Sequence, residues 1–303
     1  MSDQEGLPIF SSLEDAVRDL FGNDVLITGS SYVGGGDIND ASCLTLGNGG
    51  RVFVKTNSLQ NAVFFDAEET GLKAIASTGA INTPVLLCKG RDSTKRRSFL
   101  MMEMIEPAKR VKDYHEVFGR QLANMHLADT DGFVPGGRFG FVSDNFIGAT
   151  KQINTPCDSW IEFFAKYRLE PQFRMAERYF SDDFLRSATR FIDRLDSLLV
   201  EPKTPSLLHG DLWSGNSMTG SDGRAILIDP ACYVGHPEAD LAMTELFGRL
   251  PDDFYRAYNE INPLQPGYED RRDIYNLYHL LNHLNLFGSG YLSSVMQIVR
   301  RYT

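Results

Sequence analysis

The sequence has few cysteines, no long apolar run and no basic amino-terminal segment, and each absence excludes a class of protein. No stretch approaches the roughly eighteen continuous apolar residues that a membrane helix needs. Residues 1–6 are acidic and lead to no apolar run, which predicts no secretory signal. Four scattered cysteines without a Cys-x-x-Cys pair predict buried free thiols rather than disulfides, at Cys43, Cys88, Cys157 and Cys232. We therefore expect a protein of the reducing cytoplasm.

Positive charge is also scarce, with 30 basic against 40 acidic residues and a net charge of −10. A charge of this sign opposes non-specific attraction to nucleic acid or to an anionic membrane. The basic run Lys89–Arg97 carries no interleaved aromatic residue, and we interpret it as a solvated hairpin tip. Neither nucleic acid nor a membrane is therefore an expected partner. The 303 residues, of which 42% are hydrophobic, can bury one large core or two lobes.

The most informative motif is residues 207–216, which read Leu-Leu-His-Gly-Asp-Leu-Trp-Ser-Gly-Asn, followed by Ile-Asp-Pro at 228–230. An Asp, an Asn at the end of the same loop and a second Asp after a hairpin are typical of a kinase-type phosphoryl-transfer site. Asp211 would accept the proton of a hydroxyl group, and Asn216 and Asp229 would hold Mg²⁺. Residues 217–228 read as two strands around a turn, which would bring Asp229 beside Asn216. The alternative is a polar turn without catalytic function.

A kinase site also needs a cation for the nucleotide phosphates, and Lys55 supplies one at the end of a predicted strand. Its carboxylate partner should come from the predicted helix Asn61–Ser77, which offers Asp66, Glu68 and Glu69. We favour Glu68, because three apolar residues on the inward stripe fall within a turn or two of it, namely Phe65, Leu72 and Ile75. Glu69 is rotated by about 100° and should face solvent.

Two further segments could contact a nucleotide. Gly34, Gly35 and Gly36 lie between the predicted strands 24–29 and 38–46, where a backbone without side chains could approach phosphates. Three glycines in a hairpin are more often just a turn. Residues 98–107 could form an apolar slot for adenine, with the hinge at Glu103, Met104 and Ile105. A core strand that ends at a proline explains the same residues.

The hinge divides the chain into a predicted nucleotide-binding lobe, residues 1–103, and a catalytic and acceptor-binding lobe, residues 104–303. The first lobe should contain a helix at Leu13–Phe21, before the sheet. The second should be mostly helical, because apolar residues recur at helical spacing in three segments, Val111–Ala128, Trp160–Phe173 and Asp182–Leu199. The aperiodic segment Thr130–Asp158 is too long for an ordinary connector. It is either a loop near the acceptor site or a surface excursion.

The chain resembles the fructosamine-3-kinases, also called ketosamine-3-kinases, over nearly its whole length. The resemblance rests on Gly34–Ile38, Phe53–Lys55, His209–Asn216, Ile228–Ala231, Tyr233–Ala242 and Leu286–Tyr291. It implies an α+β, bilobal, protein-kinase-like fold with a small antiparallel-sheet lobe carrying one helix and a larger, mainly helical lobe. It also implies ATP as co-substrate, Mg²⁺ as cofactor and phosphorylation of the 3-hydroxyl of a ketosamine. The phosphorylated adduct then leaves its amine, which is described as deglycation.

The resemblance also assigns supporting residues. Asp240 would accept hydrogen bonds from the backbone of the catalytic loop, and His209 would help to hold that loop. Trp213 and His283 could contact the acceptor, although Trp213 could equally be a core residue. Because Gly210 replaces the arginine that senses a phosphorylated activation loop in protein kinases, regulation by such phosphorylation is not expected.

Several alternatives stay open at this stage. His279 and His283 are four residues apart on a predicted helix and could bind zinc, make hydrogen bonds within the helix or line the pocket. His236 and Glu238 could line the pocket or cap the next helix. A kinase for another small hydroxyl compound, such as an amino sugar or a choline-like alcohol, and a catalytically silent nucleotide-binding scaffold are the competing functions. The sequence is compatible with a monomer or a homodimer.

Overall fold

A computed structural model describes residues 7–34 and 38–303, so Gly35 and Gly36 lie outside the described residues. Its main sheet has six strands in the order β1-β5-β6-β4-β3-β2. The strands are β1 (Ile9–Phe10), β2 (Ile27–Tyr32), β3 (Asp40–Leu46), β4 (Arg51–Ser58), β5 (Leu86–Asp92) and β6 (Arg97–Glu103). Every neighbouring pair is antiparallel except β1 with β5. The sheet ends at Glu103, where we place the boundary between the lobes.

The amino-terminal lobe differs in two details from the expectation of an antiparallel sheet with one helix. The strand β1 is parallel to its neighbour, and a strand of two residues is too short to show any periodicity in the sequence. Two helices, not one, pack on the sheet: α1 (Leu13–Phe21) and α2 (Ala62–Ser77). Helix α1 has the bounds predicted for it, because Ser12 caps its first turn by accepting a hydrogen bond from Asp15 N at 3.1 Å.

Helix α2 buries the predicted apolar stripe, but the prediction that Glu69 faces solvent is wrong. Glu69 is only 6% exposed. Its carboxylate lies 2.7 Å from Lys89 Nζ on β5 and 2.9 Å from Lys73 Nζ, and it accepts a hydrogen bond from Leu7 N at 3.1 Å. The helix is therefore covered by the sheet on the flank of Glu69 as well. Lys89 is consequently a partly buried partner of Glu69 and Asp66 and not part of a solvated hairpin tip.

The rest of the chain is mainly helical. Its helices are α3 (Tyr114–His126), α4 (Trp160–Phe164), α5 (Glu170–Met175), α6 (Asp182–Ile192), α7 (Leu195–Leu198), α8 (Pro237–Leu246), α9 (Asp252–Ile261), α10 (Tyr268–Phe287) and α11 (Leu292–Tyr302). A π-helical turn at Ala165–Leu169 joins α4 to α5 within the predicted helix 160–173, and the predicted helix 182–199 divides into α6 and α7. Trp160 is fully buried among aromatic rings at the centre of this core.

Three two-stranded ribbons connect these helices. They are β7 (Asn145–Ile147) with β8 (Thr150–Gln152), β9 (Ser206–Leu208) with β12 (Tyr233–Gly235), and β10 (Ser217–Thr219) with β11 (Ala225–Leu227). The second ribbon aligns the segments before and after the catalytic motif, and the third is the hairpin that the sequence predicts between Asn216 and Asp229. The first ribbon lies within segment 130–158. That segment is therefore not a single irregular loop, and it does not run along the surface over its whole length.

Two composition-based expectations can be compared with the described residues 7–34 and 38–303. No helix there is both long and apolar enough to cross a membrane. All four cysteines have free thiols; Cys43, Cys88 and Cys232 are buried as predicted, whereas Cys157 is only half-buried. Cys157 pairs with Phe139 in an isolated β-bridge and is a partly buried residue that packs against the helical core.

Candidate active site

The two lobes meet at an ion-pair cluster around Lys55. The amine of Lys55 lies 2.6 Å from Glu68 Oε1 and also contacts Asp229 Oδ1, although Asp229 is 174 residues further along the chain. Lys55 is only 8% exposed. Burial by itself would lower the pKa of Lys55, but the charges of Glu68 and Asp229 outweigh burial and raise that pKa. The amine therefore stays protonated and is held between the lobes.

Asp211 and Asn216 occupy the catalytic motif on the opposite wall of the cleft. Asn216 Nδ2 donates hydrogen bonds to the backbone oxygen of Asp211 at 2.8 Å and to Asp211 Oδ2 at 3.0 Å. Burial raises the pKa of Asp211 to about 7, the charges of Asp229 and Asp240 act in the same direction, and the bond from Asn216 opposes them. A carboxylate with a pKa near neutrality is better suited to accept a proton than an ordinary aspartate.

The ring of His209 holds the Asp211 loop against the segment that carries Asp229. Burial lowers the pKa of His209, so the ring is neutral. Its Nδ1 accepts a hydrogen bond from Asp211 N at 3.3 Å, which leaves the proton on Nε2, and Nε2 donates to Ile228 O at 2.9 Å. Ile228 N in turn donates to Asn216 O at 3.1 Å. The loop and the strand end are thus joined by both side-chain and backbone hydrogen bonds.

Asp240 lies below this loop and accepts hydrogen bonds from its backbone. The donors are His209 N at 2.7 Å and Gly210 N at 2.9 Å. Burial opposes ionisation of Asp240, but hydrogen bonds with His126 and Gly210 outweigh burial and lower its pKa. A buried carboxylate that accepts from two backbone donors of the loop holds the loop of Asp211 without lining the cleft.

Sequence reasoning missed His126, which orients Asp240. Its Nε2 lies 3.2 Å from Asp240 Oδ2, and its Nδ1 lies 2.8 Å from the hydroxyl of Tyr258. Tyr258 also accepts a hydrogen bond from Asn262 Nδ2 at 2.9 Å. His126 stands in an ordinary helical pattern far from the catalytic motif, and no local signal in the sequence distinguishes it.

The backbone adopts left-handed conformations at Gly210 and Asp229. Asp229 has φ +54°, which few residues other than glycine adopt, although aspartate tolerates it better than most. Gly210 has φ +80°, and a Cβ there would lie 2.1 Å from Ala231 O. The close approach of the Ala231 carbonyl therefore requires glycine at position 210. This is the position at which protein kinases carry the arginine that senses a phosphorylated loop.

We expect Gly210→Ala to lower the free energy of unfolding by about 2–4 kcal/mol, because the new methyl group must displace the Ala231 carbonyl as well as adopt a left-handed conformation. Gly49→Ala is the matched control: Gly49 has φ +85° with nothing within 4 Å of its Cβ position. It should cost only about 1 kcal/mol. Urea denaturation of both variants measures the difference, and equal losses would contradict the role of the close approach.

The cleft between the lobes has a volume of about 810 Å³. One part of its lining is formed by Glu103, Met104 and Ile105, the predicted hinge, together with Gly34. The side chain of Glu103 accepts a hydrogen bond from Val85 N at 2.8 Å, so it braces the hinge instead of pointing at a ligand. Phe53, Met102 and Ile228, which lie in segments that the sequence analysis singled out, also line the cleft. The structure adds lining residues that sequence reasoning did not single out, including Val33, Ala41 and Met218.

The opposite end of the cleft is bordered by aromatic rings. Trp213 is 39% exposed and lines the cleft, so the alternative that it is a core residue is wrong. Its ring lies 6.5 Å from that of Phe247, which lies 4.7 Å from His283. Phe287 also borders this end, 5.3 Å from His283. Phe287 belongs to the segment Leu286–Tyr291 that carries the resemblance, but the sequence analysis assigned it no place in the cleft. Phe247 does not line the cleft itself; it packs behind Trp213 and His283 and belongs to no motif.

The open alternatives for the other histidines are decided by their surroundings. His283 Nδ1 hydrogen-bonds to His279 O at 2.8 Å and the ring lines the cleft, while His279 is buried. Within residues 7–34 and 38–303 no cluster of three or more His, Cys, Asp or Glu side chains could hold a metal ion. His236 caps α8 by accepting from Glu238 N at 3.1 Å, and Glu238 pairs with buried Arg271 at 2.6 Å. Both residues are structural.

The donor set of the cleft fits a hard cation that also binds phosphate oxygens. The amide nitrogen of Asn216 is engaged by Asp211, so its carbonyl oxygen is the atom left to bind a cation. Asp229 adds a carboxylate, one oxygen of which contacts Lys55. One amide and one carboxylate oxygen suit Mg²⁺, which usually takes only one or two protein ligands and completes its shell with phosphate and water.

The whole chain, and not only this site, matches a known family. A family model described as fructosamine kinase matches residues 9–303. The chain is 42% identical over 302 residues to a chloroplastic protein-ribulosamine 3-kinase of Oryza sativa subsp. indica. This match covers 98% of this chain and 86% of the rice protein. A candidate fructosamine-3-kinase from Haemophilus somnus has a crystal structure with a TM-score of 0.85 and 28% identity, covering 96% of each chain.

A more distant structure shares the fold alone. It is a thermostable mutant of an aminoglycoside phosphotransferase in a complex with ADP and hygromycin B. The two structures match with a TM-score of 0.60 and 14% identity over 95% of this chain and 96% of the other. The α+β, protein-kinase-like fold predicted from the sequence is thereby confirmed. By the extent of both its sequence match and its structural match, the chain belongs to the fructosamine kinase family.

Proposed function

We propose that this protein is an ATP-dependent kinase that phosphorylates the 3-hydroxyl group of ketosamines such as ribulosamine, erythrulosamine or fructosamine adducts. The family membership supports this proposal, as does the name of the rice relative, a protein-ribulosamine 3-kinase. The phosphorylated adduct would then leave its amine, so that the biological role is deglycation of proteins or small amines. The free thiols are compatible with action in a reducing cytoplasm.

The observation that carries the proposal is the arrangement of charges across the cleft. Lys55, paired with Glu68, faces the phosphate side, and Asp211 lies on the opposite wall with Asn216 bound to its carboxylate. Lys55 would bind the phosphates, and Asp211 would orient the acceptor hydroxyl and take its proton. Asn216 and Asp229 would hold Mg²⁺, which when bound neutralises charge on the transferring phosphoryl group. Gly34, with its two following glycines, and the hinge 103–105 would complete the ATP site.

The aromatic end of the cleft supports the placement of the acceptor. Trp213 and His283 line the same cleft as Asp211, and Trp213 follows Asp211 by two residues in the same loop. Planar rings with one face open can stack on a flat or apolar part of a ligand, and they exclude water from the reacting hydroxyl. We assign the sugar-derived part of the ketosamine to this end and the carrier amine to the cleft mouth.

An ADP-release assay across several acceptors tests the proposal. The acceptors are ribulosamine, erythrulosamine, fructosamine, an aminoglycoside and choline, each with ATP and Mg²⁺. We expect turnover of at least one ketosamine and none above background for the aminoglycoside or choline. The matched control is the parent amine of each ketosamine. The parent amine carries no sugar and therefore lacks the 3-hydroxyl group. Preferred turnover of choline or the aminoglycoside, or no turnover of any acceptor, would contradict the assignment.

A further inference from the structure

The hairpin β7–β8 links the two lobes through an aromatic contact. The ring of Phe146 on β7 lies 4.3 Å from the ring of Phe64 on α2, with an angle of 59° between the ring planes. Both rings line the cleft and both are half-buried. Aromatic pairs at this distance attract each other beyond the effect of area burial. The hairpin therefore contacts the same helix that carries Glu68.

The base of this hairpin is hydrogen-bonded to the segment that follows Asp229. Asn145 Nδ2 donates to Cys232 O at 2.7 Å, and Gln152 Nε2 donates to Ala231 O at 3.0 Å. Gln152 Nε2 also donates to Asn145 Oδ1 at 2.8 Å. These side chains are buried. Buried hydrogen bonds to backbone oxygens hold the hairpin in one orientation, because breaking them would leave buried polar groups unpaired.

The buried Arg168 holds the same hydrogen-bond network through residues 153 and 154, just after β8. Arg168 donates to Asn154 Oδ1 at 2.7 Å and to Ile153 O at 2.7 Å, and Asn154 Nδ2 donates to Asn145 Oδ1 at 2.9 Å. Its guanidinium lies 4.0 Å from the centroid of the Tyr233 ring. Charge-assisted hydrogen bonds and stacking on an aromatic face are strong and directional. The hairpin is therefore built as a rigid part of the carboxy-terminal lobe.

Helix α2 rests on this lobe at a second place. Cys232 Sγ lies 3.5 Å from Gly71 O, and a Cβ at Gly71 would lie 3.0 Å from Pro230 Cγ. Phe64, Glu68 and Gly71 are spaced by four and three residues, so they share one face of the helix. The two contacts with the carboxy-terminal lobe thus lie on either side of Glu68 along that face.

We propose that the β7–β8 hairpin is a strut that holds α2 where Glu68 pairs with Lys55, and that Phe146 is its positioning residue. The strut bears on α2 through Phe64 and is anchored to the backbone just after Asp229, so it sets the helix relative to the segment that carries Asp229. A fixed strut also suits a kinase that lacks the arginine for sensing a phosphorylated loop. The proposal rests on the proposed kinase function only where turnover is measured.

A double-mutant cycle tests the strut. Phe146→Ala and Phe64→Ala should each lower kcat about tenfold. The kcat of the double variant should be no lower than that of the slower single variant, because both substitutions remove the same contact. Phe146→Leu, which keeps an apolar contact, should recover most of kcat. The matched control is Phe133→Ala, which removes a half-buried ring that faces Phe141 at 5.8 Å within the same segment. It should leave kcat unchanged.

Hydrogen exchange gives a readout that needs neither substrate nor turnover. In the nucleotide-free protein, Phe146→Ala should speed amide exchange across residues 62–77 about tenfold, while α10 and the Phe133→Ala protein stay as in the wild type. Additive effects of the two single variants, or unchanged exchange in α2, would overturn the strut. A raised KM for the acceptor with unchanged kcat would instead make Phe146 a substrate contact. If the wild type turns over no acceptor, the proposed function fails, and exchange alone decides on the strut.

Discussion

Replacing Asp211 by asparagine is expected to lower kcat by about two to four powers of ten while ATP binding stays nearly unchanged. Asparagine cannot take a proton from the acceptor hydroxyl, but it keeps the size of aspartate and can still accept the hydrogen bond from Asn216 Nδ2. The amine of Lys55, which we propose to bind the phosphates, makes its ion pairs with Glu68 and Asp229, so the substitution does not touch it. Turnover of a ketosamine and calorimetric affinity for ATP with Mg²⁺ are the measurements.

The control for Asp211→Asn is Asp222→Asn. Asp222 lies in the exposed turn of the β10–β11 hairpin and accepts a hydrogen bond from Arg224 N at 2.9 Å. The substitution Asp222→Asn makes the same chemical change outside the cleft. It should leave kcat within about twofold of the wild-type value, as is usual for surface substitutions away from structural features. Wild-type turnover in Asp211→Asn would show that Asp211 is not the base. A parallel loss of ATP affinity would point to a collapsed loop instead.

Replacing Asp229 by alanine is expected to abolish the dependence of nucleotide affinity on Mg²⁺ and to reduce turnover below detection. Asp229 supplies the only carboxylate that we assign to the metal, and Asn216 alone is a weak neutral ligand. The substitution also removes one of the two carboxylates around Lys55. The amine keeps Glu68, so a buried charge is not left without a partner and the fold should survive.

Calorimetric titration of ATP with Mg²⁺, and again with a chelator, measures this effect. The wild type should bind ATP more tightly with Mg²⁺, whereas Asp229→Ala should bind it equally weakly under both conditions. The matched control is again position 222, as Asp222→Ala, which should keep the difference between the two conditions. Equal affinities in the wild type would remove the metal role from the site. A full Mg²⁺ response in Asp229→Ala would move that role to other residues.

Much of the site can be predicted from sequence because its parts follow one another in a short and ordered stretch. Asp211, Asn216 and Asp229 are separated by one loop and one hairpin, so local turn geometry is enough to predict that they meet. The pairing of Lys55 with Glu68 required only a strand and the inward stripe of a helix. The prediction that Lys55 ends its strand is wrong, because β4 continues to Ser58 through its pairing with β6. Their roles in binding and catalysis remain predictions, which the two substitutions above address.

The errors share a different cause. Glu69 was expected in solvent because helical periodicity describes one buried stripe, whereas α2 is covered on a second flank by β5 and Lys89. The strand β1 has two residues and forms only because β5 offers a free edge. Trp213 could be core or cleft by composition alone, and its exposed ring became evident only from the surrounding chain. Each depends on neighbours that are distant in sequence.

The sequence by itself determined the residues of the phosphoryl-transfer motif and the mainly helical character of the chain after the main sheet. These follow from periodicity, turn chemistry and the fixed spacing of charged groups within single segments, all of which are local properties. The protein-kinase-like fold class was implied by the resemblance to the fructosamine-3-kinases and not by any of these local patterns. Only the tertiary structure decided that His126 orients Asp240 and that Phe146 reaches Phe64 across the cleft. Such contacts arise when separate elements pack together, and packing depends on the shape of the whole core, which no local pattern encodes.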